Sequence, residues 1–203
     1  MKKKFYRKKC NQKIFFASKG QMKRDEREII KEILRGETHL YAHFVERYSE
    51  AVFSLVTHMI NCREDAEEIT QDVFLKAYEK LSSFNVESSF STWLYRIAYN
   101  TTISALRKRP CNSVAIADDI LADTDDTLVD ETLNGTGEKL LQRLERAIGM
   151  LDAEERALVT LYHLEERSIA ETAQITGLKE SNVKVKLHRT RKKLYLLIKE
   201  QEI

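Results

Sequence analysis

The sequence predicts an all-α protein made of two small helical domains that are joined by a flexible acidic linker. Apolar residues recur at helical spacing along most of the 203 residues, and no segment alternates as a strand would. One Pro and six Gly accompany 33% charged residues, a composition that helices tolerate well. The helical pattern is interrupted over residues 110–138, which separates a first domain at 23–109 from a second at 139–203.

Four helices are predicted in the first domain. The first begins near Arg24 and ends at Gly36, and the second carries apolar residues at helical spacing from Leu40 to Leu55. The third reads REDAEEITQDVFLKAYEKL and the fourth SSFSTWLYRIAYNTTISALRKR. The positions expected to be buried are Ile29, Ile30, Ile33 and Leu34 in the first helix, Phe44, Tyr48 and Val52 in the second, Ala66, Ile69, Val73 and Ala77 with Phe74 and Leu81 in the third, and Leu94, Ile97, Ala98, Thr101 and Ala105 in the fourth.

Two further segments are not expected to be helical. Residues 1–22 are rich in Lys and Arg and contain no acid, so they form either a disordered basic tail or a stretch that precedes the natural start. Residues 110–138 hold eight acids, no Lys or Arg, and the turn formers Asn134, Gly135 and Gly137. Composition alone fits a solubilising linker as well as a functional one.

The C-terminal segment SIAETAQITGLKESNVKVKLHRTRKKL predicts a helix-turn-helix. Ala173 is small where two helices cross closely, Gly177 suits a turn with positive φ, and Asp152 with Glu155 predicts a capping box on the preceding helix. The buried stripe of the second helix is expected at Val183, Leu187, Thr190 and Leu194. The opposite face is expected to present Ser181, Asn182, Lys184, Val185, His188, Arg189 and Lys192.

This outward face has the side chains that read a DNA major groove. Arg and Lys donate to guanine, Asn pairs with adenine, and an exposed Val contacts a thymine methyl group. Arg191 and Lys193, with Lys186 as a third candidate, suit phosphates. A basic helix that merely faces solvent would have a similar composition.

The fourth helix of the first domain carries a second candidate site. On a helical wheel Arg96, Asn100 and Arg107 fall beside Trp93, at the border of the apolar face. An aromatic ring for stacking, an amide for base edges and cations for the backbone are what single-stranded nucleic acid requires. The alternative is that Trp93 only fills the edge of a small core.

Composition and motifs exclude several classes of protein. No apolar run reaches the length of a membrane span or a signal peptide, and three distant cysteines fit neither a disulfide framework nor a zinc site. No nucleophile with a base, Gly-rich phosphate loop or carboxylate constellation stands out. We therefore expect a cytoplasmic protein that is not an enzyme and needs no cofactor, metal or small-molecule substrate.

The segment DAEEITQDVFLKAYEKLSSFNVESSFSTWLYRIAYNTTISALRKR strongly resembles the second conserved region of bacterial sigma factors of the extracytoplasmic-function (ECF) type. The helix-turn-helix resembles their fourth region. The resemblance implies a protein that binds core RNA polymerase and directs it to promoter DNA, with an anti-sigma factor as a further candidate partner. It also implies that the acidic linker runs near the RNA exit path.

Most residue roles follow from the resemblance alone. The resemblance implies that a segment of the third helix docks on the polymerase clamp. This segment contains Asp65, Glu68, Gln71, Asp72 and Phe74, although its acids would also suit a helix face that only contacts solvent. The helix-turn-helix face would read the −35 element. The residues implied to capture and read unpaired −10 bases are Phe84, Trp93 and Asn100, and the loop from Asn85 to Ser91, which includes Ser88, would select the flipped base. Arg96 and Arg107, placed beside Trp93 by the helical wheel, would add cations.

The sequence departs from the family pattern at Thr172, where a larger aliphatic residue is usual, and at its basic N-terminus. The choices at Val185 and His188 prevent transfer of a target sequence. Two competing hypotheses stay open: a conventional helix-turn-helix regulator, which would bind duplex DNA alone and usually as a dimer, and an enzyme of nucleic acid chemistry.

Overall fold

The computed structural model describes residues 19–60, 62–84, 88–108 and 137–200. Within these ranges every regular element is helical, as the sequence predicts. The helices are α1 (Lys19–Leu34), α2 (Tyr41–Ile60), α3 (Arg63–Glu79), α4 (Phe90–Lys108), α5 (Gly137–Met150), α6 (Ala153–Val159), α7 (Ile169–Thr176) and α8 (Glu180–Glu200). Residues 110–136 of the predicted acidic linker lie outside the described residues, whereas its last two residues, Gly137 and Glu138, belong to α5.

The chain divides into two compact units, Met1–Ala42 and His43–Ile203. In the first unit, α1 begins five residues before Arg24, the expected start. Ile30 and Ile33 are buried, whereas Leu34 is 53% exposed and does not belong to the stripe. Gly36 has a φ of +119°, a conformation that favours glycine and ends the helix where the sequence predicts it.

In the second unit, α2, α3 and α4 supply most of the apolar core of the first helical domain. Every position expected to be buried in the third helix is buried, including Phe74 in α3 and Leu81 in the short 3-10 helix Leu81–Ser83 that follows it. The α2 side chains Phe44, Val52, Leu55, Val56 and Met59 are each fully buried as well. The helical period alone was sufficient to predict the α3 stripe.

Helix α4 buries a wider face than the sequence predicts. Leu94 and Ala98 are fully buried as expected, but Ile97, Thr101 and Ala105 are only partly buried. The additional buried side chains are Phe90, Thr92, Tyr95, Tyr99 and Thr102. The face is wider because α4 packs against α3 on one side and against α7 on another.

Helices α5 to α8 form the second helical domain, with the local signals where the sequence predicts them. Asp152 and Glu155 make the capping box of α6, and Gly177 ends α7 with a φ of +75°. Ala173 is buried at the crossing of α7 and α8. One apolar cluster joins Ala147, Leu151, Val159, Leu197 and Ile198, and a second joins Leu158, Ala173, Val183 and Leu187.

Candidate nucleic-acid interface

An aromatic cluster stands at the start of α4. The Trp93 ring lies 5.3 Å from Phe84 and 5.6 Å from Phe90, between ring centres, and Phe90 in turn contacts Phe44 at 4.3 Å. Phe90 is buried, whereas Trp93 and Phe84 are half-buried. The indole therefore rests on the core with part of its surface accessible, rather than being enclosed by it.

The start of α4 is fixed by hydroxyl groups. Ser89 accepts a hydrogen bond from the backbone N–H of Thr92 at 3.2 Å, which satisfies one of the free N–H groups of the first turn. Its hydroxyl also bonds the Thr92 hydroxyl at 2.8 Å. Ser88 is half-buried beside this turn, and Asn85 lies outside the described residues. These bonds hold the backbone from which Trp93 projects.

The polar side chains predicted beside Trp93 are all exposed. Arg96, Asn100 and Arg107 lie on α4 at spacings that place them on one side of the helix. An accessible ring, an amide and two guanidinium groups thus share one edge of the domain. The arrangement can stack a base and hold a phosphate chain without any reaction being catalysed.

The predicted reading face of α8 is also presented outwards. Ser181, Asn182, Lys184, His188 and Arg189 are exposed, and Lys192 is partly buried. Val185 is 50% exposed, which leaves it able to contact a base methyl group. Val183, Leu187 and Thr190 are buried on the opposite side, as predicted.

Two lysines predicted to bind phosphate form ion pairs with acids of α6 instead. Lys193 is 8% exposed and donates to Glu155 Oε2 at 2.8 Å, and Lys186 donates to Glu154 Oε2 at 2.8 Å. The hydrogen bond to Glu154 is the main reason that the pKa of Lys186 is raised. The prediction was wrong for Lys193 because the wheel position alone did not reveal that α6 covers it.

The α3 surface proposed to meet polymerase is mostly accessible. Glu68, Gln71 and Asp72 are exposed and Asp65 is half-buried. The prediction that Phe74 contacts polymerase is wrong, because its side chain is only 7% exposed and belongs to the core. The sequence reasoning missed two exposed apolar neighbours, Leu75 and Tyr78, at 58% and 38% exposure, although both fall outside the buried stripe.

The contact between α4 and the segment before α7 was not predicted. Tyr95, fully buried, donates from its hydroxyl to Glu165 Oε2 at 2.6 Å. The Arg167 guanidinium lies 4.6 Å from the centre of the Tyr95 ring and donates to Ser91 Oγ at 3.2 Å. Glu166 between them has a φ of +50°, the one positive φ of a non-glycine residue in the described ranges.

A second arginine also bridges the two helical domains. Arg156 on α6 is 9% exposed and donates to the backbone carbonyl of Met59 at 2.7 Å, in the last turn of α2. It also donates to the Gly149 carbonyl at 3.1 Å. A cation at a helix C-terminus is stabilised by the free carbonyls and the helix dipole, so Arg156 helps to fasten α6 to the end of α2.

Within the described ranges, no helix is both long and apolar enough to span a membrane. The same ranges contain no cluster of three His, Cys, Asp or Glu side chains that could hold a metal ion.

Comparison with known proteins identifies the family. Sigma-70 region 2 matches residues 44–110 and sigma-70 region 4 matches residues 141–194. The ECF RNA polymerase sigma-E factor of Haemophilus influenzae is 30% identical over 173 residues, which cover 82% of this chain and 91% of that protein. This chain belongs to the ECF sigma factors. The sigma factor is also 29% identical over 181 residues to SigW of Bacillus subtilis, covering 81% of this chain and 92% of SigW.

Solved structures support the same fold for this sigma factor. CnrH, solved in complex with the cytosolic domain of CnrY, has a TM-score of 0.62 at 21% identity and covers 86% of this chain and 97% of its own. RpoE of Bartonella quintana, solved with the anti-sigma factor NepR, has a TM-score of 0.59 at 24% identity, covering 78% and 96%. The predicted all-α fold of two helical domains is confirmed.

The family settles the general activity. This sigma factor acts with core RNA polymerase to direct transcription initiation at promoters, and it is a transcription factor of the DNA-binding kind. The two competing hypotheses, a conventional helix-turn-helix regulator and an enzyme of nucleic acid chemistry, give way to this assignment.

Proposed function

We propose that the sigma factor captures unpaired −10 bases on the exposed edge of α4. The observation that carries the proposal is the half-buried Trp93, which lies between an aromatic support and an exposed amide at Asn100. The residues assigned to this role are Phe84, Asn85, Ser88, Trp93, Arg96, Asn100 and Arg107.

The energies involved are of matching size. Stacking one base on an aromatic side chain contributes roughly 1–3 kcal/mol, and unstacking a base from duplex DNA costs a few kcal/mol. Two rings together, Phe84 and Trp93, can therefore offset most of the cost of holding one or two bases open. Fixing α4 against the polymerase would supply the remaining positioning.

The −35 element is read, in this proposal, by the exposed face of α8. Asn182, Lys184 and Arg189 would contact base edges, and Val185 would contact a thymine methyl group. Ser181, His188 and Lys192 complete the face. The buried stripe on the other side of α8 supports the assignment, because it fixes which side chains point outwards.

Core polymerase would dock on the outer surface of α3. Asp65, Glu68, Gln71 and Asp72 offer carboxylates and an amide to a basic partner. Phe74 supports this surface from within the core instead of contacting the partner directly. The proposed limits of the two domains remain 23–109 and 139–203, with 110–138 as the linker; the sigma-70 matches fall inside or within one residue of the two domains.

The remaining parts of the proposal concern setting and control. The sigma factor would act in the cytoplasm, where bacterial promoters are transcribed, and would have no catalytic activity of its own. An anti-sigma factor would restrain it. The support for this partner is the similarity to RpoE, which was solved with the anti-sigma factor NepR.

The test of the −10 site is Trp93→Ala in a reconstituted holoenzyme on a promoter chosen from a library by run-off transcription. Open complexes, measured by permanganate reactivity of promoter thymines, should fall about tenfold or more, since one stacking contact is lost. Polymerase binding should be unchanged, because Trp93 lies away from the proposed docking surface of α3.

Two controls make the result specific. Trp93→Phe keeps a ring and should retain most of the open complexes. A template with a pre-melted −10 bubble should restore part of the activity of Trp93→Ala, because the cost of unstacking is already met. Normal permanganate reactivity in Trp93→Ala would show that the indole has only a packing role.

A further inference from the structure

The recognition helix α8 is tied to α6 by two ion pairs that the sigma factor family assignment does not explain. Lys186 Nζ lies 2.8 Å from Glu154 Oε2, and Lys193 Nζ lies 2.8 Å from Glu155 Oε2. The lysines are seven residues apart, two helical turns, and the acids are adjacent at the start of α6. The two helices are thus connected twice along one line of contact.

The two pairs differ in their exposure to water. The side chains of Lys193 and Glu155 are 10% and 19% exposed, whereas those of Lys186 and Glu154 are 42% and 46% exposed. Solvent screens an exposed pair and leaves it weak, while a largely buried pair must keep both partners in place. Lys193–Glu155 is therefore the stronger constraint on α8. Lys186–Glu154 adds a second contact, and together the two pairs define the orientation of α8 relative to α6.

Glu155 has a second task that makes its position rigid. The same oxygen that binds Lys193 accepts the backbone N–H of Asp152 at 3.0 Å, and Asp152 in turn accepts the N–H of Glu155 at 2.8 Å. This capping box fixes the Glu155 carboxylate relative to the backbone of α6. The Glu155 carboxylate that binds Lys193 is therefore fixed to α6 and would not move with α8 if α8 rotated.

The ion pairs lie between the buried stripe and the reading face of α8. At about 100° per residue, Lys186 and Lys193 fall roughly 80° from the centre of the stripe, on the side of Asn182 and Arg189. Apolar contacts are non-directional, so the stripe alone allows α8 to rotate by small angles. Hydrogen-bonded ion pairs at its border restrict that rotation, because their geometry has a narrow range.

A small rotation is enough to matter for base reading. A helix with its side chains has a radius of about 5–6 Å, so a rotation of about 20° moves an outward group by about 2 Å. Hydrogen bonds to base edges occupy a window of about 0.5 Å. Loss of the ion pairs would therefore misplace Arg189 and Asn182 relative to the bases even though neither side chain had been changed.

We propose that Glu154 and Glu155 are positioning residues for promoter selection, which set the rotation of α8 through Lys186 and Lys193. The inference rests on the proposed reading of the −35 element by α8. It assigns a role in sequence specificity to two acids that lie on a different helix from the reading residues.

The test measures selectivity in the holoenzyme with Glu154→Gln, Glu155→Gln, Lys186→Met and Lys193→Met. Each holoenzyme selects from duplex promoters randomised at the −35 element, and the preference for the best sequence over its single-base variants is measured. The preference should fall about tenfold for Glu155→Gln and Lys193→Met, and less for the half-exposed pair. Gln at 155 can still accept the Asp152 N–H, so the start of α6 is retained.

The acid variants separate positioning from direct phosphate contact. Glu154→Gln and Glu155→Gln remove no cation from α8, so a loss of preference with an unchanged salt dependence supports the proposal. Lys199→Met is the matched control: it removes one exposed cation from the same helix and should leave the preference unchanged.

Three results would overturn the inference. One is that the lysine variants alone lose affinity equally for all promoter sequences, and that their affinity depends less steeply on salt concentration. This result would indicate that the lysines contact phosphates. Another is an unaltered preference in variants that circular dichroism shows to be folded. If Lys193→Met does not fold, an unaltered preference in Glu154→Gln and Glu155→Gln decides against the proposal. A wild-type holoenzyme without any −35 preference would instead remove the proposed function itself.

Discussion

Thr172 is a single residue in which the sequence departs from its family and the structure gives the consequence. The side chain is fully buried between the helices of the second domain, and its hydroxyl has no hydrogen-bond partner there. A buried hydroxyl without a partner has lost its bonds to water and gained none in return. Compared with the larger aliphatic residue that is usual in the family, Thr172 therefore adds an unsatisfied polar group as well as a smaller side chain.

Thr172→Val should stabilise the protein. Valine has nearly the same shape and removes the unsatisfied hydroxyl, so we expect a gain of about 1 kcal/mol in the free energy of unfolding, measured by chemical denaturation. Thr102→Val is the control, since Thr102 is equally buried but donates to the Ala98 carbonyl at 2.8 Å. It should not stabilise; equal gains in both variants would contradict the explanation.

At the scale of elements, the turn between α7 and α8 depends on one glycine. Gly177 has a φ of +75° and its N–H bonds to the Ala173 carbonyl at 2.9 Å, which ends α7 and directs the chain into α8. An added Cβ would meet no atom within 4 Å. The requirement for glycine therefore comes from the backbone conformation and not from lack of space.

Gly177→Ala should lower the free energy of unfolding by about 1 kcal/mol, because alanine must adopt a left-handed conformation. Gly149→Ala provides a control of opposite sign: it lies in α5 with open space around it, so alanine should stabilise the helix by about 0.5–1 kcal/mol. Both values can be measured by thermal unfolding. If Gly149→Ala instead destabilised the protein, Gly149 would be required for a reason other than its backbone conformation.

Local sequence patterns predicted most of the helices and their ends, but they could not predict contacts between residues that are far apart in the chain. The α3 stripe, the Asp152–Glu155 capping box and Gly177 each depend on residues within about one or two turns. A second capping box, Ser168 with Glu171, carried the same signal and could have been found. The burial of Lys193 and Tyr95 depends on Glu155 and Glu165, which are 38 and 70 residues away. No periodicity contains that information.

At the scale of the whole second unit, the two helical domains are in contact. The proposed −10 site lies on α4 and the proposed −35 face on α8, and α7 connects the two by packing against both helices. We expect the contact between α4 and α7 to open when both sites bind the promoter.

Tyr95→Phe should make opening easier, since it removes the hydrogen bond from the Tyr95 hydroxyl to Glu165 while leaving the ring under Arg167. Such a bond to a charged group contributes about 1.5–3 kcal/mol. Fluorescence energy transfer between dyes on α3 and α8 should report a larger mean separation in the free protein. An unchanged separation would mean that the apolar packing of α4 on α7 is sufficient.

The same contact gives a dependence on alkaline pH. Burial, and then the charge of Glu165, raise the pKa of Tyr95 above its ordinary value of 10. The contribution of a group with a raised pKa is fully present below its unfolded pKa and is lost as the pH rises above it. Wild-type stability should therefore decline from about pH 10 upwards more steeply than that of Tyr95→Phe.

Glu166 has a strained backbone conformation in the segment that contacts α4. A non-glycine residue at a φ of +50° is held in a conformation that costs about 1–2 kcal/mol, and its neighbours Glu165 and Arg167 both reach α4. The strain at Glu166 therefore offsets part of the stability that the hydrogen bonds of Glu165 and Arg167 contribute. Glu166→Gly should remove that strain and raise the melting temperature, because glycine adopts a positive φ without cost. If the domains separate on the promoter, the glutamate found here keeps the cost of that separation low.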